Sequence, residues 1–83
     1  MDKQMDGPKG IERYAACDDD AQAIRDADLS PTDCRDIERI AEDTWDHLWC
    51  ELDEEFGGAV AGYVAGAARS AAVMALVAQL AWA

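Results

Sequence analysis

Apolar positions recur along this chain at helical spacing, and they mark three segments. In the first, Tyr14, Cys17, Ala21 and Ile24 follow one another at steps of three and four, one narrow stripe on a helix expected over residues 8–27. Pro8 suits the first turn of such a helix, where a missing N–H costs nothing. The Asp18-Asp19-Asp20 run interrupts the stripe with charge, so the helix is expected to be weakest there.

The second segment, residues 31–56, has the clearest signals. Ser30-Pro31-Thr32-Asp33 supplies an N-cap serine, a proline at the first helical position and an acid at the third, a variant of the capping box. Leu29 and Cys34 stand at the positions of a hydrophobic staple. Cys34, Ile37, Ala41, Trp45, Leu48, Leu52 and Phe56 then repeat at three or four and share a face, while Asp36, Glu42, Asp43, Asp46, Asp53 and Glu54 fall opposite. Gly57-Gly58 is expected to end this helix through a residue in the left-handed region.

The third segment, residues 59–83, is rich in alanine and apolar on all sides, with Arg69 its one formal charge. A helix of that kind is either a membrane span or buried in protein. Its length permits a span. On the insertion scale, however, Arg69 costs about 2.5–3.5 kcal/mol, and the Val and Leu residues return only about 0.3–0.6 kcal/mol each. The segment is therefore expected to be a core helix rather than an anchor. Gly58, Gly62, Gly66 and Ser70 form a small-residue row that lets two helix backbones approach closely. A helix of about 38 Å is too long for the shorter first helix and the second to cover on every side. The chain is expected to self-associate through this row, as a homodimer with the third helix central. The whole reads as one all-α domain over residues 1–83: two long helices in a hairpin, plus a shorter N-terminal helix.

Charge sharpens the picture. The 83 residues hold 18 carboxylates and seven basic groups, a net charge of −11. The first 56 residues carry every carboxylate and a net −12, and the remainder carries +1. Such a chain repels nucleic acid and anionic lipid and attracts basic surfaces. The opening residues lack an apolar signal region, so a reducing cytoplasm is expected, with Cys17, Cys34 and Cys50 as thiols.

Little suggests chemistry. The single histidine, His47, has Asp43 and Glu51 one turn to either side, but no nucleophile motif or phosphate loop accompanies it. The order Cys17, Cys34, His47, Cys50 follows no finger spacing, and Cys34 and Cys50 lie on opposite sides of one helix. No enzyme activity, metal or cofactor is expected. Arg69 in an apolar helix calls for an acidic partner within the chain, exposure, or an anionic ligand.

The row of carboxylates on the second helix can imitate phosphates before a protein that holds nucleic acid. Small size, strong acidity and the lack of motifs resemble, in kind, phage inhibitors of host defence such as the anti-CRISPR proteins. The expected function is a non-enzymatic inhibitor of a basic, nucleic-acid-handling protein, recognised by Asp36, Glu42, Asp43, Asp46, Asp53 and Glu54. A tail-anchored membrane protein and an oligomer that sequesters a small ligand between subunits stand as alternatives.

Overall fold

The computed structural model describes residues 10–82, the side chain of Trp82 excepted; Pro8 lies outside them. Among the described residues the fold is all-α: a 3₁₀ turn at Gly10–Tyr14, then α1 at Asp18–Ala27, α2 at Pro31–Phe56 and α3 at Gly58–Trp82, with no strand. The two long helices form the expected hairpin.

The first helix differs from the expected continuous 8–27 element. It is split, and Ala15, Ala16 and Cys17 lie between the 3₁₀ turn and α1. The aspartates decide where it breaks. Three carboxylates inside a helix repel one another, whereas at its N-terminus they face the positive end of the macrodipole. Asp18, Asp19 and Asp20 accordingly form the first turn of α1, with Cys17 extended before them at φ −153°. Cys17 is exposed rather than part of a buried stripe, and Ile11 from the 3₁₀ turn is fully buried instead. Asp28 ends α1 in the left-handed region at φ 52°, a conformation that Asp tolerates better than most residues.

The start of α2 follows the sequence signals. The Ser30 side chain accepts a hydrogen bond from the Asp33 N–H at 3.1 Å, with Pro31 at the head of the helix. The end of α2 is tighter than expected. Gly57 alone joins the two long helices: its N–H bonds the Asp53 carbonyl at 3.0 Å, and its own carbonyl accepts from the Ala61 N–H at 3.0 Å. Gly57 sits at φ 92°, ψ 167°, outside the left-handed helical well, in a region that only glycine occupies readily.

The core collects one or two side chains from each element: Ile11 and Tyr14 from the 3₁₀ turn, Ile24 from α1, Ile37 and Ala41 from α2, Val73 and Val77 from α3. Leu29 and Cys34, the staple pair, pack on its edge. Toward the hairpin tip the inner face of α3 narrows to Ala61 and Ala65, both fully buried. The expected α2 stripe fades there: Trp45, Leu48 and Leu52 are half-buried, and Phe56 is 65% exposed.

Candidate functional site

Two features stand out on this scaffold: an acidic ridge on α2, and a cluster of arginines and rings where the 3₁₀ turn meets the hairpin.

The ridge follows from helix geometry. At 3.6 residues per turn, Asp36, Glu42, Asp43, Asp46, Asp53 and Glu54 occupy about one third of the α2 circumference, opposite the buried Ile37 and Ala41. All six are solvent-exposed. Arg35 and Arg39 share the first half of this arc, and Arg39 Nη1 lies 4.0 Å from Asp43 Oδ2, a weak surface pair. From Asp46 to Glu54 the sequence of α2 has no Lys or Arg, so negative charge dominates toward the hairpin tip. Beside the ridge, Ile40, Asp43, Thr44, His47 and Leu48 line a shallow depression.

Glu42 belongs to both features. It accepts a hydrogen bond from the Tyr14 hydroxyl, and Arg13 Nη2 lies 3.5 Å from its carboxylate. Arg13 also pairs with Glu38 at 2.7 Å and donates to the Tyr14 hydroxyl at 2.8 Å. The Tyr14 hydrogen bond holds the Glu42 carboxyl below the usual carboxylate range, and the charges of Arg69 and Arg13 act in the same direction. Burial pushes the Tyr14 phenol up, and its bond to Glu42 adds to that. The phenol therefore stays protonated near neutral pH and serves as a tie between the 3₁₀ turn and α2.

Arg69 enters the same cluster from α3. Its guanidinium carbon lies 4.4 Å from the centroid of the Trp45 ring and 4.9 Å from that of Tyr14, positions that attract a cation to ring faces. The neighbouring Ser70 donates to the Tyr14 carbonyl at 2.5 Å and secures the end of the 3₁₀ turn. Sequence reasoning marked Arg69 and placed Tyr14 and Trp45 on apolar stripes, but it did not join them. The three residues come from three elements, and no local pattern in the sequence announces their meeting.

The small-residue row winds around α3 rather than facing one neighbour. A Cβ on Gly58 would lie 3.5 Å from Asp53 Oδ1, and one on Gly62 would meet nothing within 4 Å. A Cβ on Gly66 would lie 3.7 Å from the Trp45 ring, and Ser70 is engaged with Tyr14. Three of the four positions in the expected dimer row thus face atoms of their own chain. The face of α3 turned away from α2 is a different one, formed by Val60, Tyr63, Val64, Ala67, Ala71 and Ala78, all exposed and none charged.

Cys17 and Cys50 are exposed and Cys34 is half-buried. Among the described residues no group of three or more His, Cys, Asp or Glu side chains is arranged to hold a metal ion. The chain matches no protein-family model, and comparison with curated proteins and with solved structures finds no match.

Proposed function

We propose that this chain is a non-enzymatic interaction protein that blocks a basic, nucleic-acid-handling protein, an inhibitor of the phage anti-defence kind. The observation that carries the reading is the ridge: Asp36, Glu42, Asp43, Asp46, Asp53 and Glu54 are all exposed on one side of a 26-residue helix whose opposite side is anchored in the core. A rigid helix holds these charges at fixed spacing, so their ordering cost on binding is small. Charge complementarity chiefly speeds association and makes it sensitive to salt. Glu42 is already tied to Tyr14, so Asp46, Asp53, Glu54 and Asp43, the last only weakly paired with Arg39, carry most of the contact.

The test is capture of partners from a host lysate with the intact chain and with a variant carrying Asp43→Asn, Asp46→Asn, Asp53→Asn and Glu54→Gln. Proteins that bind nucleic acid should be retained by the first, released by salt or competing duplex DNA, and lost from the second. Equal capture of the same proteins by the variant would refute the mechanism.

The uncharged outer face of α3 supports self-association as a second component. Two copies packed there turn both ridges outward, at least two helix diameters apart and beyond the screening length of about 8 Å at physiological salt. A stripe about 38 Å long and about 10 Å wide offers on the order of 400 Å² per copy. Stable interfaces bury about 800 Å² per partner, so the dimer should depend on concentration. Light scattering should show it weakening on dilution and vanishing with Ala71→Glu.

One observation favours the tail-anchored alternative. Gly58–Ala81 is long and apolar enough to cross a membrane, with mean hydropathy 1.5, and only 22% of its most apolar window is buried. Fractionation distinguishes the two readings, since a span requires detergent and a dimer face does not.

A further inference from the structure

The groove beside Arg69 has the composition of a ligand site. It is a shallow depression, largely open to solvent, of about 410 Å³, lined chiefly by Arg13, Tyr14, Gly62, Tyr63, Gly66 and Arg69. That volume lies within the range of small-molecule sites. Arg69 is half-buried, yet among the described residues none accepts a hydrogen bond from its guanidinium and no carboxylate pairs with it. Its contacts are the Tyr14 and Trp45 rings, which attract the charge but accept none of its in-plane N–H groups in the ordinary way. Glu42 acts on Arg69 only through space, because its own hydrogen bonds go to Tyr14 and Arg13. Arg13 is satisfied by Glu38 and Glu42, so one guanidinium in this groove is paired and the other is not.

A guanidinium with free in-plane donors matches the two oxygens of a carboxylate or phosphate. Two features choose between these. Glu38 and Glu42 stand on the same side of the fold and the chain carries −11, which disfavours a dianion more than a monoanion. The rest of the groove suits a flat ring: Gly62 leaves open space, and Tyr63, 80% exposed, offers an aromatic ring at the rim.

We infer that the groove between the 3₁₀ turn and α3 binds a small aromatic monocarboxylate, with Arg69 holding the carboxylate and Tyr63 covering the ring. Glu42 of the α2 ridge adjoins this groove, but no ridge carboxylate lines it, so either reading can fail without the other.

The experiment is titration of the intact protein with 2-naphthoate, followed by two-dimensional NMR of the arginine Nε–Hε and backbone N–H groups. Saturable shifts at Arg69 and Tyr63 are expected. Affinity should fall by about tenfold or more in Arg69→Gln, a loss of about 1.4 kcal/mol. Tyr63→Ala, at an exposed position that does not threaten folding, should weaken binding several-fold and keeps the test decisive if Arg69→Gln is unstable. Arg35→Gln, about two turns along α2 from Glu42 and outside the groove lining, should leave binding unchanged. Acetate and adenosine monophosphate should each bind at least about tenfold more weakly than 2-naphthoate. The inference is overturned by the lack of saturation at about 10 mM probe, where any pocket of useful affinity would fill. It is equally overturned by shifts confined to other residues, by indifference to both groove variants, or by equal or tighter binding of acetate or the nucleotide.

Discussion

Replacing Gly62 by alanine separates two accounts of α3. The row Gly58, Gly62, Gly66 and Ser70 reads in sequence as a helix-packing seam, and in such a seam an added methyl pushes the neighbouring helix away. The structure places open space at Gly62, where a Cβ would meet no atom within 4 Å. Glycine inside a helix is about 1 kcal/mol less favourable than alanine, so Gly62→Ala should stabilise the fold by about that amount. For a domain of this size the melting temperature should rise by about 4–8 °C. Gly66→Ala should act in the same direction, since its methyl would touch the Trp45 ring at an ordinary 3.7 Å. Gly57 provides the opposite sign. At φ 92° and ψ 167° a side chain is strained whatever the space, and Gly57→Ala should cost about 1–3 kcal/mol. The assay is urea unfolding followed by circular dichroism at two protein concentrations, with light scattering on the same samples. Loss of stability in Gly62→Ala, or disappearance of a dimer, would show that a second helix lies against that glycine and that the outer face of α3 is not the association surface.

Four further outcomes follow from the packing and the charges. Ile37 is 1% exposed and Phe56 is 65% exposed, so Ile37→Ala should cost about 2–5 kcal/mol in urea unfolding and Phe56→Ala less than about 0.5 kcal/mol. Ser30→Ala removes the cap on the Asp33 N–H and should cost about 1 kcal/mol, read as a shift in the unfolding midpoint without a change in slope. The Glu42 carboxyl titrates below its ordinary 4.5, chiefly through the Tyr14 hydrogen bond, so its contribution is complete above 4.5 and is lost as pH falls through the lower folded value. Glu42→Gln should therefore flatten that acid limb. Tyr14 titrates above its ordinary 10.0, through burial and then its bond to Glu42, so its contribution is complete below 10.0 and fades as pH rises through the folded value. Tyr14→Phe should remove that alkaline loss in a stability–pH profile.

Much of the fold was legible in the sequence because it is written in local terms. The Ser30-Pro31-Thr32-Asp33 start, the period of α2 and the Gly57-Gly58 stop depend on neighbours within one or two turns, and each appears within a residue of its expected place. The split first helix was half legible. The Asp18-Asp19-Asp20 run signalled the weak point where α1 restarts, but not that Ile11 and Tyr14 from the separate 3₁₀ turn join the core cluster with Val73 and Val77. The acidic ridge was legible too, since six carboxylates at helical spacing define a face without any partner. What covers α3 was not. An Ala/Gly-rich helix with large residues on several sides has no periodic preference for one face, so its orientation is decided by the few side chains that reach it. Trp45 against Gly66, Tyr14 beneath Ser70 and Arg69 over both rings are contacts between three elements. Sequence by itself thus determined the two long helices, their ends and the charged face, because spacing along a helix is local. Only the tertiary structure decided which side of α3 stays open and that Arg69 meets rings rather than a carboxylate, because those outcomes depend on where distant segments come to rest.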